Sequence, residues 1–371
     1  VGWRQTLRIA TWALVAASTT ASAGDLTVYV YPSAKEINWT SPKKTLMSAG
    51  LSGVEGALAH LITPEQIKSM MGHVIVHYRC TDEDGVAQES WSGLTGQNDA
   101  GETRNDLLRD QIGFSVLFKM YADGSLDAPD VARNLVARNP GRREDGRRAE
   151  PLFARFPISS AQECSRISHF QQSFRSRSAK DLLYGFVREA YETYHEWIAG
   201  GKSPAIQLAG GCTSYGAGFL KMLGVHSADL ERFWRRDVLI SERWLGDGRR
   251  HKVPLAHVLG PDGESWQSEG YGDRLLSFYD PERMWDFLDG VRTCAAQLQG
   301  DKGVVGENCT PELMQWTRVH RDAVNTNASS VVKGNFSRRI PAPSNPKGGY
   351  SPPRIVHEVR DVVRHGIDFL R

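Results

Sequence analysis

Five cysteines, at Cys80, Cys164, Cys212, Cys294 and Cys309, constrain this 371-residue chain more than any other feature. In an oxidising compartment an odd count leaves at least one thiol unpaired or bonded to another molecule. Cys294 and Cys309 lie close in sequence with Gly-rich chain between them, which makes them a natural local disulfide. Cys80 and Cys164 could form the second pair, although five cysteines allow many connectivities. That pairing sets Cys212 apart. No C-x-x-C occurs and no Cys/His cluster has zinc-ligand spacing, so neither a structural metal nor any other cofactor is expected.

The first 23 residues predict the compartment. Arg4 and Arg8 flank a basic start, an apolar run follows from Ile9 to Ala17, and "TTASA" places Ala21 and Ala23 ahead of Gly24. This pattern reads as a secretory signal peptide over 1–23, with an uncleaved membrane anchor as the alternative. The apolar core falls short of the ~20 residues that span a bilayer, and no other stretch is long and apolar enough. The expected mature protein is periplasmic or secreted, without a transmembrane segment. Formal net charge is only +2, so no global field recruits nucleic acid, and none is expected as a partner. The cluster "NPGRREDGRRAEP" at 139–151 mixes bases with acids, Gly and Pro, and reads as a solvated loop.

Element signals predict an α+β fold in which an antiparallel sheet packs against helices. Residues 26–31, "LTVYVY", alternate as a first strand, and "GHVIVHYRC" at 72–80 is a second. "TDEDG" is a turn after which "VAQESWSGLTG" returns as a hairpin partner. "TPEQIKSMMG" begins as a capped helical turn at Thr63. Beyond the 139–151 loop the chain turns helical. Ile167, Phe170 and Phe174 recur at helical spacing, and Leu183, Phe186, Val187, Ala190, Tyr191 and Tyr194 mark a second stripe. "CTSYGAGFLKMLG" predicts a helix opening at Cys212, and "PERMWDFLDGVRTCAAQLQG" another near the C-terminal end. Residues 338–354 form a Pro/Gly/Ser linker before a last amphipathic stretch. The expected division is 24–260 as a catalytic domain and 261–371 as an extension.

The chemistry turns on Cys212. A thiol nucleophile needs a lowered pKa and a base, because the thiolate is the reactive form. The first turn of a helix supplies part of the field. Gly210 and Gly211 allow a sharp turn and leave room for a substrate carbonyl, with backbone N–H groups of Cys212 and Thr213 available as an oxyanion hole. "GGC" before a helix equally suits a buried, packed thiol. Among eleven histidines, His73 and His77 stand out on one face of the 72–80 strand, and His73 opens that strand after Gly72. In the returning strand Gln88, Glu89 or Ser90 could orient the imidazole, the choice depending on register. A metal site on His73, His77 and an acid is a weaker reading, since i and i+4 on a strand lie ~13 Å apart.

The order "GHVIVHYRC", "ESWSGLTG", "IGFSVLFKMYADGSLD", a long helical spacer and "GGCTSYGAGFLKMLG" resembles the circularly permuted NlpC/P60 papain-like thiol hydrolases. It is similar especially to their exported bacterial members and the lecithin-retinol acyltransferase-like branch. The resemblance covers roughly residues 45–230. It implies His73 as base, Cys212 as nucleophile and a third polar residue on the strand after the histidine, for which Gln88 and Glu89 are the nearest matches. Gly211 stands where that family commonly carries Asn. The implied activity is hydrolysis or acyl transfer at an amide or ester carbonyl, with a cell-envelope substrate such as a peptidoglycan peptide or an acyl lipid. The rival reading is a non-catalytic envelope binding or structural protein on the same fold, with Cys212 inert.

Overall fold

In the computed structural model the described residues are 23–33, 36–48, 72–94, 118–119, 129–136, 151–177, 182–184, 189–200, 207–226, 228–245, 253–298 and 309–319. Their architecture is α+β. Strand β1 (Gly24–Tyr31) is buried along nearly its whole length because it lies inside a four-stranded sheet. β2 (His73–Thr81) and β3 (Ala87–Ser92) form the expected hairpin, closed at Asp82, whose Oδ1 accepts from the backbone N–H of Asp84 and Val86. β4 (Phe118–Lys119) belongs to a second sheet. Helix α1 (Pro129–Val136) precedes β5 (Leu152–Ile158), which returns to pair with β1. The order β3-β2-β1-β5 is antiparallel throughout.

The pleat divides the residues of this sheet between two cores. Leu26, Val28 and Val30 of β1 join Val74, Val76, Tyr78 and Cys80 of β2 on one face. Tyr29 and Tyr31 join Ile75, Trp91 and Phe153 on the other, where Ala132 and Val136 of α1 cover them. The first face carries most of the helices. Helix α2 (Ala161–Arg177) buries Ile167, Phe170 and Phe174, the predicted stripe. Each such fully buried apolar side chain contributes about 1.5–3 kcal/mol. The Cys80–Cys164 disulfide ties α2 to the end of β2.

Two sequence expectations change here. The second helical stripe does not form one helix. Its beginning is strand β6 (Leu182–Tyr184), between β4 and the parallel partner β7 (Gln207–Gly210), and helix α3 covers only Ala190–Ile198. Strand pairing from residues 207–210 overrides a 3.6-residue apolar period, as tertiary context does for short segments. The division into a β-rich first part and a helical second part also fails, because β5 carries the chain back into the first sheet after residue 151.

Helix α4 (Cys212–Leu223) follows β7 directly and α5 (Ala228–Trp234) leads into β8 (Arg235–Ser241). β8 pairs with β9 (Asp273–Tyr279) in an antiparallel ribbon over a small core of Val238, Ile240, Trp244, Leu276 and Phe278. Helix α6 (Pro281–Leu298) packs on β1 and β5, and α7 (Pro311–Val319) packs on α6, with Cys294 bonded to Cys309. A boundary at residue 260 therefore cuts through one ribbon, and Met284, Trp285 and Leu288 belong to the main core rather than to an appended unit. No helix among the described residues is long and apolar enough to cross a membrane. The expected signal peptide up to residue 22, the turn at Thr63, most of the 139–151 loop, the 338–354 linker and the terminal helix lie outside the described residues.

Candidate functional site at the end of the sheet

With Cys80–Cys164 and Cys294–Cys309 bonded, Cys212 is the cysteine outside the disulfides, and it is buried. The chain reaches it through a tight change of direction. Gly210 takes φ +77°, a left-handed conformation that favours glycine, and Gly211 is the N-cap of α4 with no side chain to fill the helix end. The next two residues anchor the helix. Thr213 Oγ1 donates to the carbonyl of Tyr279 at 2.8 Å, and Ser214 Oγ accepts from Ala190 N–H at 2.7 Å. The Ser214 hydroxyl thereby serves the first turn of α3.

Close packing explains the other glycines of this helix. A Cβ on Gly216 would come within 2.5 Å of Val74 Cγ1, and one on Gly218 within 2.7 Å of Phe170 Cζ. α4 runs along β2 in the same direction, since Gly216 meets Val74 and the Phe219 ring lies 6.1 Å from that of Tyr78. Four residues of helix rise ~6 Å. Two residues of strand cover nearly the same distance, ~6.6 Å. Stepping back from Gly216 to Cys212 thus reaches the level of Gly72, where β2 begins.

Several polar groups gather at that end. A Cβ on Gly72 would lie 2.8 Å from the Pro281 side chain and 3.1 Å from the Tyr31 carbonyl oxygen. Asp280 accepts the Glu282 N–H on Oδ1 at 2.9 Å, so Asp280 caps α6 with Pro281 at its first position. Glu282 is only 2% exposed, and its Oε1 accepts from both the N–H and the hydroxyl of Ser33, just past β1. The helix end favours this buried carboxylate. Arg236 pairs with Asp280 from β8. Ser33, Asp280 and Glu282 carry no catalytic motif in the sequence. Their one signal is Asp-Pro-Glu, a helix-start pattern.

The candidates read from sequence fare differently. His73 stands at the same end as Cys212, but strand alternation sets it opposite Tyr31, on the face that α1 covers, while Val74 meets α4. The two side chains approach the end of the sheet from opposite faces. Gln88 and Glu89 pair with Cys80 and Arg79, at the other end of β2, ~20 Å from His73 by strand rise. Gln88 donates to Asp82 at 2.7 Å, and Glu89 meets His77 Nε2 at 3.1 Å. Neither orients His73: the hairpin register joins the strands the other way along. Ser90 accepts from Gln171, which also takes the Tyr78 hydroxyl. His77 stacks on Trp91 at 4.2 Å, and burial lowers its pKa against the opposing pull of Glu89. No group of three His, Cys, Asp or Glu among the described residues could hold a metal ion.

The C-terminal end of α4 carries a second polar assembly. Lys221 Nζ lies 2.6 Å from Glu189 and 3.1 Å from Glu231, and Arg235 pairs with the same two acids. The Tyr279 hydroxyl donates to Glu231 at 2.8 Å and lies 3.3 Å from His226 Nε2. Burial pushes the Tyr279 pKa up to about 12 and pulls His226 down to about 4. For Lys221 burial acts downward, but Tyr279 and Glu231 outweigh it and the net shift is upward. These groups tie α3, α4, α5 and the ribbon together. Comparison with protein-family models, curated proteins and solved structures finds no match for this chain.

Proposed function

We propose that the protein is an exported cysteine hydrolase or acyl transferase of the permuted papain-like kind, working at the end of the sheet where α4 begins. The observation that carries this reading is the state and place of Cys212: the four other cysteines are paired, and this thiol occupies the first turn of a glycine-capped helix level with the strand that starts at His73. In the proposed reaction the Cys212 thiolate attacks an amide or ester carbonyl, and the thiol proton passes to His73. N–H groups of the first turn stabilise the oxyanion. The protonated base then returns its proton to the leaving amine or alcohol, and water or a second nucleophile releases the acyl group. Disulfides suit an oxidising compartment, and the proposed substrate is a cell-envelope peptide or acyl lipid.

A non-catalytic envelope binding protein is the second reading. It is favoured by the opposite-face placement of His73 and by the burial of Cys212, 3% exposed within the main apolar cluster. Acyl trapping separates the two. Intact-mass analysis after incubation with activated peptide esters and acyl esters should show an acyl adduct on Cys212 that Cys212→Ala abolishes. Absence of any adduct or turnover across both substrate classes would favour the binding protein.

A further inference from the structure

The chain contains four N-x-S/T triplets, starting at Asn38, Asn308, Asn327 and Asn335, and the first lies wholly within the described residues. On the surface of an exported protein such a triplet is an acceptor pattern for asparagine-linked sugar. Exposure alternates through residues 36–40: Glu36, Asn38 and Thr40 are exposed, Ile37 is buried and Trp39 half-buried. The inward residues hold the backbone. The Trp39 ring lies 4.7 Å from that of Phe278, and its carbonyl accepts from Trp266 Nε1 at 2.7 Å. The Asn38 main chain is fixed too, its N–H donating to Ser48 Oγ at 2.9 Å and its carbonyl accepting from Thr45 Oγ1 at 2.8 Å. Outward, the triplet's side chains join each other. Asn38 Oδ1 accepts the Thr40 N–H at 3.0 Å and the Thr40 hydroxyl at 2.6 Å. An N–H can only donate, so the carboxamide oxygen is the atom turned to Thr40. Nδ2 makes no hydrogen bond to another described residue, and it sits on an exposed side chain.

We propose that Asn38 is an N-glycosylation site. The co-reactant is an oligosaccharide carried on a polyprenyl diphosphate, presented by a membrane oligosaccharyltransferase. Asn38 Nδ2 attacks the anomeric carbon of the first sugar. A C–N bond forms while the bond from that carbon to the diphosphate oxygen breaks. Nδ2 gives up one proton, and the lipid diphosphate leaves with the bonding pair. Thr40 supplies the hydroxyl that the triplet requires, already seated on the carboxamide. The folded chain accepts the product. Substitution at Nδ2 leaves buried Ile37, the Trp39 contacts and both main-chain bonds of Asn38 in place. The proposal shares with the proposed function only the export of the chain, and it does not depend on whether Cys212 reacts.

Peptide mapping by mass spectrometry tests it, on the full chain made in a host that exports it past such a transferase and, for comparison, in a cytosol. The exported chain should carry a glycan mass on the Asn38 peptide, with sugar fragment ions, and the cytosolic chain none. Asn38→Gln and Thr40→Val should abolish the modification, whereas Thr40→Ser, which keeps the hydroxyl, should retain it. All three alter exposed side chains, and an unchanged melting temperature confirms their folding. If the Asn38 peptide of the exported chain stays bare while a second acceptor protein in the same cells is glycosylated, the assignment is overturned. Glycan on the other triplets with none on Asn38 overturns it equally. Either result leaves the Cys212 reading standing, since acyl trapping on the unglycosylated protein tests that separately.

Discussion

Gly216 of α4 lies so close to Val74 of β2 that a Cβ would come within 2.5 Å of Val74 Cγ1. This contact sets the height of the central helix on the sheet and carries Cys212 to the level of Gly72. Gly216→Ala should therefore lower stability by about 1–3 kcal/mol through overpacking. In a Val74→Ala background the same substitution should be much less damaging. Urea unfolding of the four proteins in that cycle measures the coupling.

The two disulfides close loops of very different length, with sequence separations of 84 for Cys80–Cys164 and 15 for Cys294–Cys309. Chain-entropy reasoning gives ~4.5 kcal/mol for the longer loop and ~3 kcal/mol for the shorter. Paired Cys→Ala variants should rank in that order by denaturant midpoint, the larger loss following removal of Cys80 and Cys164. In both variants Cys212 should remain a thiol by mass after alkylation under denaturing conditions.

Much of the local structure was legible in the sequence, while the long-range placement was not. Alternation identified β1 and β2, and Asp82 with Gly85 marked the turn into β3. The Gly-Gly-Cys sequence located the start of α4, and closeness in sequence pointed to Cys294–Cys309, while Cys80–Cys164 was one of many connectivities that five cysteines allow. Gln88 and Glu89 lie away from His73 because strand register, which local sequence does not encode, puts both at the far end of the hairpin. Ser33 and Glu282 stand 249 residues apart in sequence and meet only because α6 packs beneath β1. No local period encodes such a contact. The strand at Leu182–Tyr184 was hidden for the same reason, its partners being Gln207–Gly210 and Phe118–Lys119.

The Ser33–Glu282 contact should be worth measuring as a unit. Removing the hydroxyl with Ser33→Ala leaves a buried carboxylate with one donor fewer. A loss of about 1–3 kcal/mol is expected. With Glu282→Gln in place, the same Ser33→Ala step should be smaller, because the acceptor is no longer charged. Equal losses in the two backgrounds, read from a double-mutant cycle, would show that the carboxylate holds Ser33 no more strongly than an amide oxygen does.

His226 gives the protein an acid sensitivity. Burial holds its folded-state pKa at about 4, with Glu231 opposing and Lys221 adding to the shift, against an ordinary value of 6.5. Below pH 6.5 the unfolded chain gains a proton that the folded chain does not. Stability should accordingly fall as pH drops from 6.5 towards 4 and lose this dependence below about 4. The contribution is on the order of 1–3 kcal/mol. His226→Gln should flatten that part of the profile, as measured by chemical denaturation at a series of pH values.

The most direct test of the central claim is the rate at which iodoacetamide modifies Cys212 in the native protein, followed against pH by mass spectrometry. If Cys212 is an activated nucleophile, labelling should proceed without unfolding and titrate with an apparent pKa below the ordinary thiol value of about 8.5. His73→Ala should slow it and move the titration upward. If instead Cys212 reacts only as fast as the protein globally unfolds, and His73→Ala leaves that rate unchanged once stability is matched, the thiol is a packed core residue and the hydrolase assignment is wrong.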